Sequence, residues 1–365
     1  MSPVPPTRSG PTGTDTSDGV DRHRFADYFD YDLPSDAIAQ EPIEPRDAAR
    51  LLVDRGEEVV HATVADLPEL LQPGDVVVVN DTKVLRARLQ LTKVTGGRVE
   101  VLLLQPLPPP TGTGRPTAAG GRWEALVKAG RRVRPGTTLV RDGEPAVSVG
   151  AELGDGRRAV ELLRADLMER AGQIPLPPYI HRPLADDDRY QTVFAEHPGS
   201  VAAPTAGLHL TSEVLGRLRR RAVDVVAVEL RVGLGTFRPI TAERIDDHDM
   251  HAETYRVAEQ DWARIMAAER VVAIGTTVVR TLESVAATGE LASSTDLFIS
   301  RPYHWQVVDT LLTNFHVPRS SLLVLVDAFI GPRWRALYDE ALASGYRFLS
   351  FGDAMLVDRR HAEGE

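Results

Sequence analysis

Short apolar segments separated by turn residues follow one another in one part of the chain. Between residues 73 and 165 they are DVVVVN, VLRARLQL, RVEVLLL, RWEALVK, TTLV, AVSVGAEL and RRAVELL. Such β-rich runs are typical of strands, and the Gly-Gly, Pro-Gly and Asp-Gly pairs between them are typical of turns. Because no helical pattern comes between the segments, they predict a small antiparallel β-barrel or sandwich, and we adopt the barrel.

Strand-like and helical segments alternate after about residue 166. VDVVAVEL, ERVVAIG and TLLTN have the composition of strands, whereas SEVLGRLRRRA, TVVRTLESVAAT and SSLLVLVDAFIG have the apolar spacing of helices. This alternation predicts a mainly parallel sheet with helices on both faces. We therefore expect a three-layer α/β domain formed by residues 25–72 and 166–365, with the β-barrel of residues 73–165 inserted into it.

The N-terminal residues 1–24 are rich in Pro, Gly, Ser, Thr and Asp, with almost no large apolar side chains. Such a segment buries too little surface to offset its ordering entropy, so we expect a disordered tail. It also lacks the apolar region of a signal peptide, and no uninterrupted apolar run reaches about 18 residues. The expected protein is soluble and cytoplasmic, without a membrane span.

Composition and charge restrict the possible chemistry. The chain of 365 residues has no cysteine, which excludes disulfides, thiolate nucleophiles and cysteine-bound zinc. Its net charge of −10 means that RNA could bind only at a local basic patch. The densest basic cluster supplies Arg217, Arg219 and Arg220, and the barrel segment supplies Lys83 and Arg88. A solvated helix face is the alternative for the first three.

Two loops that follow predicted strands contain groups suited to ligand binding. Thr276, Thr277 and Arg280 begin a helix, where free backbone N–H groups and hydroxyls hold polar or anionic groups. A capped helix with a surface arginine is the alternative. In RVGLGTF, Gly233 and Gly235 allow the backbone to approach a ligand closely.

Two further segments end on histidines. TNFHVP contains Asn314 and His316, and the small-residue stretch GSVAAPTAGLHL contains Thr205, Gly207 and His209. Histidine can transfer protons near neutral pH, so His209 and His316 are the preferred catalytic candidates. Hydrogen bonding within each loop is the alternative.

The segment HDMHAE offers His248, His251 and Glu253 at a spacing that metal ligands also show. A hydrogen-bonded loop is the preferred interpretation, and no metal site is predicted. His251 and Glu253 are the next catalytic candidates after the two preferred histidines. The residues alone do not name a reaction.

Taken in order, several long motifs resemble the S-adenosylmethionine:tRNA ribosyltransferase-isomerase family. The resemblance runs from about Phe29 to Val357, and Asn80 and Asp81 within it become candidates for substrate binding. The motifs that carry it are LPSDAIAQEPIEPRDAARLLV, GDVVVVNDTKVLRARL, GQIPLPPYIHR, RYQTVFAEHPGSVAAPTAGLHL, VGLGTFRPI, HDMHAE, VVAIGTTVVRTLES, TLLTNFHVPRSSLLVLVDAF and YRFLSFGDAML.

This resemblance implies a large α/β catalytic domain plus a small β-barrel. It implies that the ribosyl part of S-adenosylmethionine is transferred to 7-aminomethyl-7-deazaguanine in a tRNA anticodon and isomerised. The products are epoxyqueuosine-tRNA, adenine and methionine. The implied partners are tRNA and S-adenosylmethionine, no metal or redox cofactor is implied, and we expect a monomer.

Three positions depart from the family pattern. Arg231 stands where the family has histidine, Leu210 where it has phenylalanine, and Arg301-Pro302 where it has Pro-Gly. Two alternatives therefore stay open: a divergent paralogue that acts on another nucleoside, and a catalytically inert relative that binds RNA or a nucleoside.

Overall fold

A computed structural model describes residues 22–56, 58–108, 120–129, 133–154, 156–233 and 239–360. The predictions for residues 1–21 and for Gly235 lie outside these ranges. Residues 22–24, expected to belong to the disordered tail, instead form the 3-10 helix Arg22–Arg24. The next residue, Phe25, makes a β-bridge with Arg244, so this part of the predicted tail is folded against the α/β domain.

The described helices lie mostly in the second half of the chain, and none of them combines the length and apolarity that a bilayer-spanning segment requires. The helices are α1 Leu67–Leu70, α2 Leu167–Ala171, α3 Ser212–Arg220, α4 Glu259–Met266, α5 Thr276–Thr288, α6 Ser321–Ile330 and α7 Arg333–Ala343. Short 3-10 helices cover Ala26–Phe29, Ser35–Ala37, Arg46–Ala48, Val64–Asp66, Asp187–Tyr190, Thr205–His209 and Ile245–Asp247.

The strands form a large sheet, a barrel and a short two-stranded ladder. They are β1 Arg50–Asp54, β2 Val59–Thr63, β3 Asp75–Asn80, β4 Thr82–Val84, β5 Arg88–Lys93, β6 Arg98–Leu107, β7 Arg122–Ala129, β8 Thr138–Arg141, β9 Glu144–Gly154, β10 Arg157–Leu162, β11 Gly172–Gln173, β12 His197–Ser200, β13 Asp224–Leu230, β14 Glu253–Arg256, β15 Arg270–Ile274, β16 Ala292–Thr295, β17 Thr310–Asn314 and β18 Ala354–Asp358.

The large sheet is mixed, with a parallel centre. Within the described residues it has nine strands in the order β16-β14-β13-β3-β15-β17-β18-β1-β2. The four neighbours β13, β3, β15 and β17 run parallel, and β1 is parallel to β18, whereas the other four pairings are antiparallel. The expectation of a mainly parallel sheet therefore holds for its centre, and antiparallel strands extend it on both sides.

Strand β3 lies at the centre of this sheet and not in the barrel, where the sequence analysis placed DVVVVN. It pairs with β13 on one side and β15 on the other, and all six of its residues are buried. A continuous apolar run is typical of a parallel strand covered on both faces, which is the physical reason for this correction. The barrel strands begin at Arg88, and the exact bounds of the two domains stay a prediction.

Helices cover both faces of the large sheet, so the three-layer arrangement is confirmed. On one face Val76 and Val78 of β3 pack in a core with α4, α5, α6 and α7. On the other face Val77 and Val79 pack with α1, α3 and the 3-10 helix Thr205–His209. Alternate residues of a strand point to opposite faces, and a strand of valines therefore supplies both cores.

The barrel is closed by one pairing between its end strands. Six described strands follow one another antiparallel in the order β5-β6-β7-β10-β9-β8, and Thr92 and Lys93 of β5 return to pair with Val140 and Leu139 of β8. Strand β11 adds to the outside of β5. The interior is a separate apolar core to which Leu89 and Val101 belong, so the predicted antiparallel barrel is confirmed.

Leu89→Ala is expected to lower the free energy of unfolding by about 2–5 kcal/mol, because the Leu89 side chain is fully buried in the barrel interior. Val94→Ala is the matched control: Val94 follows the same strand but is 75% exposed, and its loss should change stability by less than about 0.5 kcal/mol. Urea unfolding followed by circular dichroism measures both. Equal effects would show that the barrel interior is not a packed core.

Candidate active site

The parallel strands of the large sheet end at one common edge, and most of the predicted site residues follow them there. Strand β13 ends at Leu230, β3 at Asn80, β15 at Ile274 and β17 at Asn314. In open α/β sheets ligands bind beyond the carboxyl ends of the strands. The loops singled out from the sequence therefore converge on the edge where a ligand site is expected.

Asn80 connects three of the elements that meet at this edge. Its Nδ2 donates to the Leu230 carbonyl at 3.0 Å and lies 3.3 Å from Thr277 Oγ1, while its Oδ1 accepts from the Leu230 N–H at 3.1 Å. The amide thus holds the end of β13 and the start of α5 to the end of β3. Substrate contact by Asn80, Thr276 and Thr277 stays a prediction.

Helix α5 begins in contact with the small-residue stretch. Gly275 has a φ of +94°, a conformation that favours glycine, and a Cβ there would lie 3.4 Å from the Ala206 side chain. Small residues on both sides therefore bring the start of α5 and the 3-10 helix Thr205–His209 close together.

His209 is joined to β17 through Asn314. Asn314 Nδ2 lies 3.0 Å from His209 Nε2, and the Thr205 hydroxyl donates to Asn314 Oδ1 at 2.8 Å. His209 is 5% exposed. The structure thus brings Asn314 to Thr205 and His209, which lie 109 and 105 positions earlier in the sequence.

A cleft opens beside His209. The residues that line it with His209 have apolar, basic and hydroxyl side chains: Pro42, Ile43, Arg46, Arg189, Leu208, Ser350 and Phe351. Arg46 donates to the carbonyls of Gln191 and Asp188, and Arg189 donates to that of Ile43. Both guanidinium groups are thereby fixed at the cleft.

Burial sets the protonation state of His209. It lowers the pKa of His209 to about 4, and the positive charges of Arg347 and Arg46 act in the same direction. His209 is therefore neutral at pH 7. A histidine with such a pKa is a weaker proton acceptor than the sequence analysis expected.

His316 is enclosed by other side chains and is not among the cleft residues. Its Nε2 lies 3.0 Å from Thr313 Oγ1, its backbone N–H donates to Tyr338 Oη at 2.9 Å, and Tyr31 Oη donates to its carbonyl at 2.5 Å. Burial lowers its pKa to about 3. These contacts support the loop-bonding alternative, and a catalytic role for His316 stays a prediction.

Glu253 and Arg280, predicted as a catalytic and a substrate-binding residue, form a buried ion pair. Their side chains are 5% and 4% exposed, and Arg280 Nη1 donates to Glu253 Oε2. Glu253 Oε1 also accepts from the Gly233 N–H at 2.7 Å, and Arg280 donates to the carbonyls of Thr295 and Leu297. Since these groups satisfy one another, the arrangement supports a structural role, while catalysis by Glu253 and substrate contact by Arg280 stay predictions. His251, two residues from Glu253, is exposed.

The space beside Gly207 is taken by the protein itself. A Cβ at Gly207 would lie 2.9 Å from Phe194 Cζ and 3.1 Å from Thr192 Cγ2. Packing therefore explains why glycine stands there, and the approach of a substrate at Gly207 stays a prediction.

Asp81 is bonded to a histidine at the rim of the sheet edge. Its Oδ2 lies 3.0 Å from His197 Nδ1, and burial raises the pKa of the Asp81 carboxyl while His197 partly offsets this. Asp81, Glu196 and His197 are the described residues whose side chains could hold a metal ion, with candidate ligand atoms within 4.8 Å of one another. Glu196 and His197 are exposed, so this cluster lies at the surface.

Three of the predicted RNA-binding side chains bond to other groups of the protein. Arg217 donates to the Ala65 carbonyl and pairs with Glu69, so it joins α3 to α1. Arg220 pairs with Glu213, and Arg88 donates to the Leu176 carbonyl. Lys83 and Arg219 are exposed.

Sequence reasoning missed most of the cleft. Arg46, Arg189, Ser350 and Phe351 all lie within motifs that carried the family resemblance, but none of them was selected as a site residue. Their position within these motifs was the signal in the sequence that could have identified them. No periodic pattern distinguishes a loop arginine that contacts a ligand from one that is exposed on the surface.

The fold is that of an α/β protein with an inserted β-barrel, and a cleft lined in part by His209 lies near the carboxyl edge of its sheet. The chain belongs to the family described as queuosine biosynthesis protein, whose family model matches residues 26–357.

Two relatives and one solved structure illustrate the similarity. The S-adenosylmethionine:tRNA ribosyltransferase-isomerase of Anaeromyxobacter sp. is 50% identical over 91% of this chain and 98% of its own length. The protein of the same name from Rubrobacter xylanophilus is 48% identical over 91% and 97%. The crystal structure of S-adenosylmethionine tRNA ribosyltransferase from Thermotoga maritima is similar with a TM-score of 0.50 and 35% identity, covering 90% of this chain and 99% of that one.

Glu253→Ala is expected to lower the free energy of unfolding by about 3–5 kcal/mol, because it leaves the buried Arg280 charge without its carboxylate. Glu213→Ala is the control: the Glu213–Arg220 pair is exposed, and its loss should cost less than about 1 kcal/mol. Denaturant titration measures both. A stable Glu253→Ala protein that has lost only activity would restore Glu253 as a catalytic candidate.

Proposed function

We propose that this chain is an S-adenosylmethionine:tRNA ribosyltransferase-isomerase. It transfers the ribosyl part of S-adenosylmethionine to 7-aminomethyl-7-deazaguanine in a tRNA anticodon and isomerises it, giving epoxyqueuosine-tRNA, adenine and methionine. The observation that carries the proposal is about 50% identity over nearly the full length of both chains to proteins of that name.

The chemistry calls for groups that assist proton transfer and the departure of a base. The sulfonium of S-adenosylmethionine makes the neighbouring ribose 5′ carbon acidic, so a proton leaves there. Adenine departs, the amine of the modified base attacks, and closure of the epoxide expels methionine. The cleft beside His209 has apolar walls and fixed guanidinium groups, and this lining chemistry supports contact with a nucleoside.

The residues at the three positions that depart from the family pattern do not line the cleft. Leu210, Arg301 and Arg231 instead contact other parts of the protein. Leu210 is fully buried in the core beneath α3. Arg301 pairs with the buried Asp327. Arg231 pairs with Glu229 and packs against Gly199. These contacts show how the fold accommodates Leu210, Arg301 and Arg231, and adenine release decides between an active enzyme and the inert relative.

The protein is proposed to act as a cytoplasmic monomer without a metal or redox cofactor. The reaction balances without an oxidant or a reductant. Both proposed substrates, tRNA and S-adenosylmethionine, are cytoplasmic.

Adenine release measures the proposed activity. With labelled S-adenosylmethionine and tRNA that carries the precursor base, the protein should release adenine, and chelator-treated protein should do so at the same rate. His209→Gln should lower kcat by about 10²–10⁴-fold while the protein stays folded, the range typical of a lost proton-transfer or hydrogen-bonding group. His316→Gln tests the second histidine in the same way.

The matched control is tRNA without the precursor base, which should give no release. A folded wild-type protein that never releases adenine would favour the inert relative. Release with a different nucleoside acceptor would favour the paralogue.

Lys83→Ala and Arg219→Ala are each expected to weaken tRNA binding and to reduce the log–log salt slope by about one unit, if each side chain contacts one phosphate. Arg264→Ala is the control, because Arg264 is already paired with Asp224 and Asp261. Filter binding over a salt series measures the slopes. Unchanged affinity and slope for Lys83→Ala or Arg219→Ala would remove that residue from the RNA interface.

A further inference from the structure

The orientation of the Asn314 amide is determined by two backbone carbonyls. Asn314 Nδ2 lies 3.2 Å from the Leu349 oxygen and 3.4 Å from the Asp353 oxygen. Carbonyl oxygens only accept hydrogen bonds, so the NH₂ group has to face them. The Thr205 hydroxyl, on the other side, donates to Oδ1 at 2.8 Å. A flipped amide would place its oxygen against two other oxygens.

This orientation determines which nitrogen of His209 carries the proton. Asn314 Nδ2 is also 3.0 Å from His209 Nε2, so Nε2 faces an N–H donor and must offer its lone pair. A neutral imidazole has one donor and one acceptor nitrogen, and the proton therefore lies on Nδ1. Within the described residues, the hydrogen bond of the His209 ring is the one from Asn314 to Nε2.

Both guanidinium groups and carboxylates lie near His209. Arg347 and Arg46 both act on the ring. The Asp353 carboxylate accepts from the backbone N–H groups of Arg50 and Arg347 and lies near the Arg347 guanidinium, and Glu44 pairs with Arg189. Glu44, Asp186 and Asp188 also act on Arg46, so carboxylates partly offset the positive charges of the arginines.

We propose that Asn314 is a positioning residue that holds His209 as the neutral Nδ1–H tautomer, and that His209 donates a hydrogen bond to an electron-rich ring nitrogen of a heteroaromatic base bound in the cleft. Phe351, Leu208 and Ile43 supply apolar walls for such a ring. The identity of this acceptor rests on the proposed function. When the C–N bond to the departing purine breaks, its electron pair moves onto the purine ring. The hydrogen bond from His209 Nδ1–H to the ring therefore becomes stronger.

The tautomer is tested without turnover by long-range ¹H–¹⁵N correlation spectra of the full-length protein labelled at histidine, with His209 assigned from His209→Gln. We expect a protonated Nδ1, an unprotonated Nε2 and no titration of His209 between pH 5 and 8. A protonated Nε2, or titration near pH 6.5, would overturn the inference.

Asn314→Asp tests the positioning role. A carboxylate has the same shape but only accepts, so it should move the His209 proton to Nε2 and raise the His209 pKa into the titrated range. Adenine release should fall by about 10²–10³ in kcat, as when one preorganised donor is lost, with a smaller change in KM. Gln72→Glu is the control, because it makes the same amide-to-acid change at an exposed position.

The two proposals fail separately. An Asn314→Asp protein with a switched tautomer and normal kcat would overturn the donor role of His209. A wild-type protein with the Nδ1–H tautomer and no adenine release would contradict the proposed function and leave the tautomer assignment in place.

Discussion

The common direction of β13, β3, β15 and β17 is the constraint on which the site depends. Parallel strands deliver their carboxyl ends to one edge, and the loops that follow Leu230, Asn80, Ile274 and Asn314 have to meet there. The helices on the two faces keep that edge in register, because each strand contributes alternate residues to both cores. Because the sheet brings these loops together, His209 and Asn80 can form their polar contacts over short distances.

Side-chain amides connect the elements at this edge, where the regular hydrogen bonding of the strands ends. Asn80 serves β3, β13 and α5, and Asn314 serves β17, the small-residue stretch and the segment before β18. An amide both donates and accepts, so it satisfies groups of either kind and imposes an orientation on its neighbours. The Glu253–Arg280 ion pair also connects separate segments, through charged groups. Glu253 accepts from the Gly233 N–H, and Arg280 donates to the carbonyl of Thr295 at the end of β16.

Much of the fold was predictable because strand and helix patterns are local. The valine-rich runs predicted strands correctly, but a run buried on both faces does not reveal its neighbours, and DVVVVN was therefore assigned to the wrong sheet. At the site, Thr205, His209 and Asn314 were predictable from polar groups beside small residues at strand ends. Arg46 and Phe351 were not, because their place in the cleft depends on packing between distant segments. The role of Glu253 depends on a buried arginine 27 positions away, which the motif around Glu253 does not show.

The closed barrel has a consequence for how the chain assembles. Strand β3 ends at residue 80, but its neighbours β13 and β15 begin at residues 224 and 270, after the whole barrel has been synthesised. Barrel strands pair mainly with strands close in sequence, so they can fold first, and local pairings form faster than distant ones. Once closed, the barrel replaces a long flexible loop by a compact body, and the short β4–β12 ladder joins the segments that enter and leave it. The entropy cost of bringing β13 to β3 then depends on a much shorter effective loop.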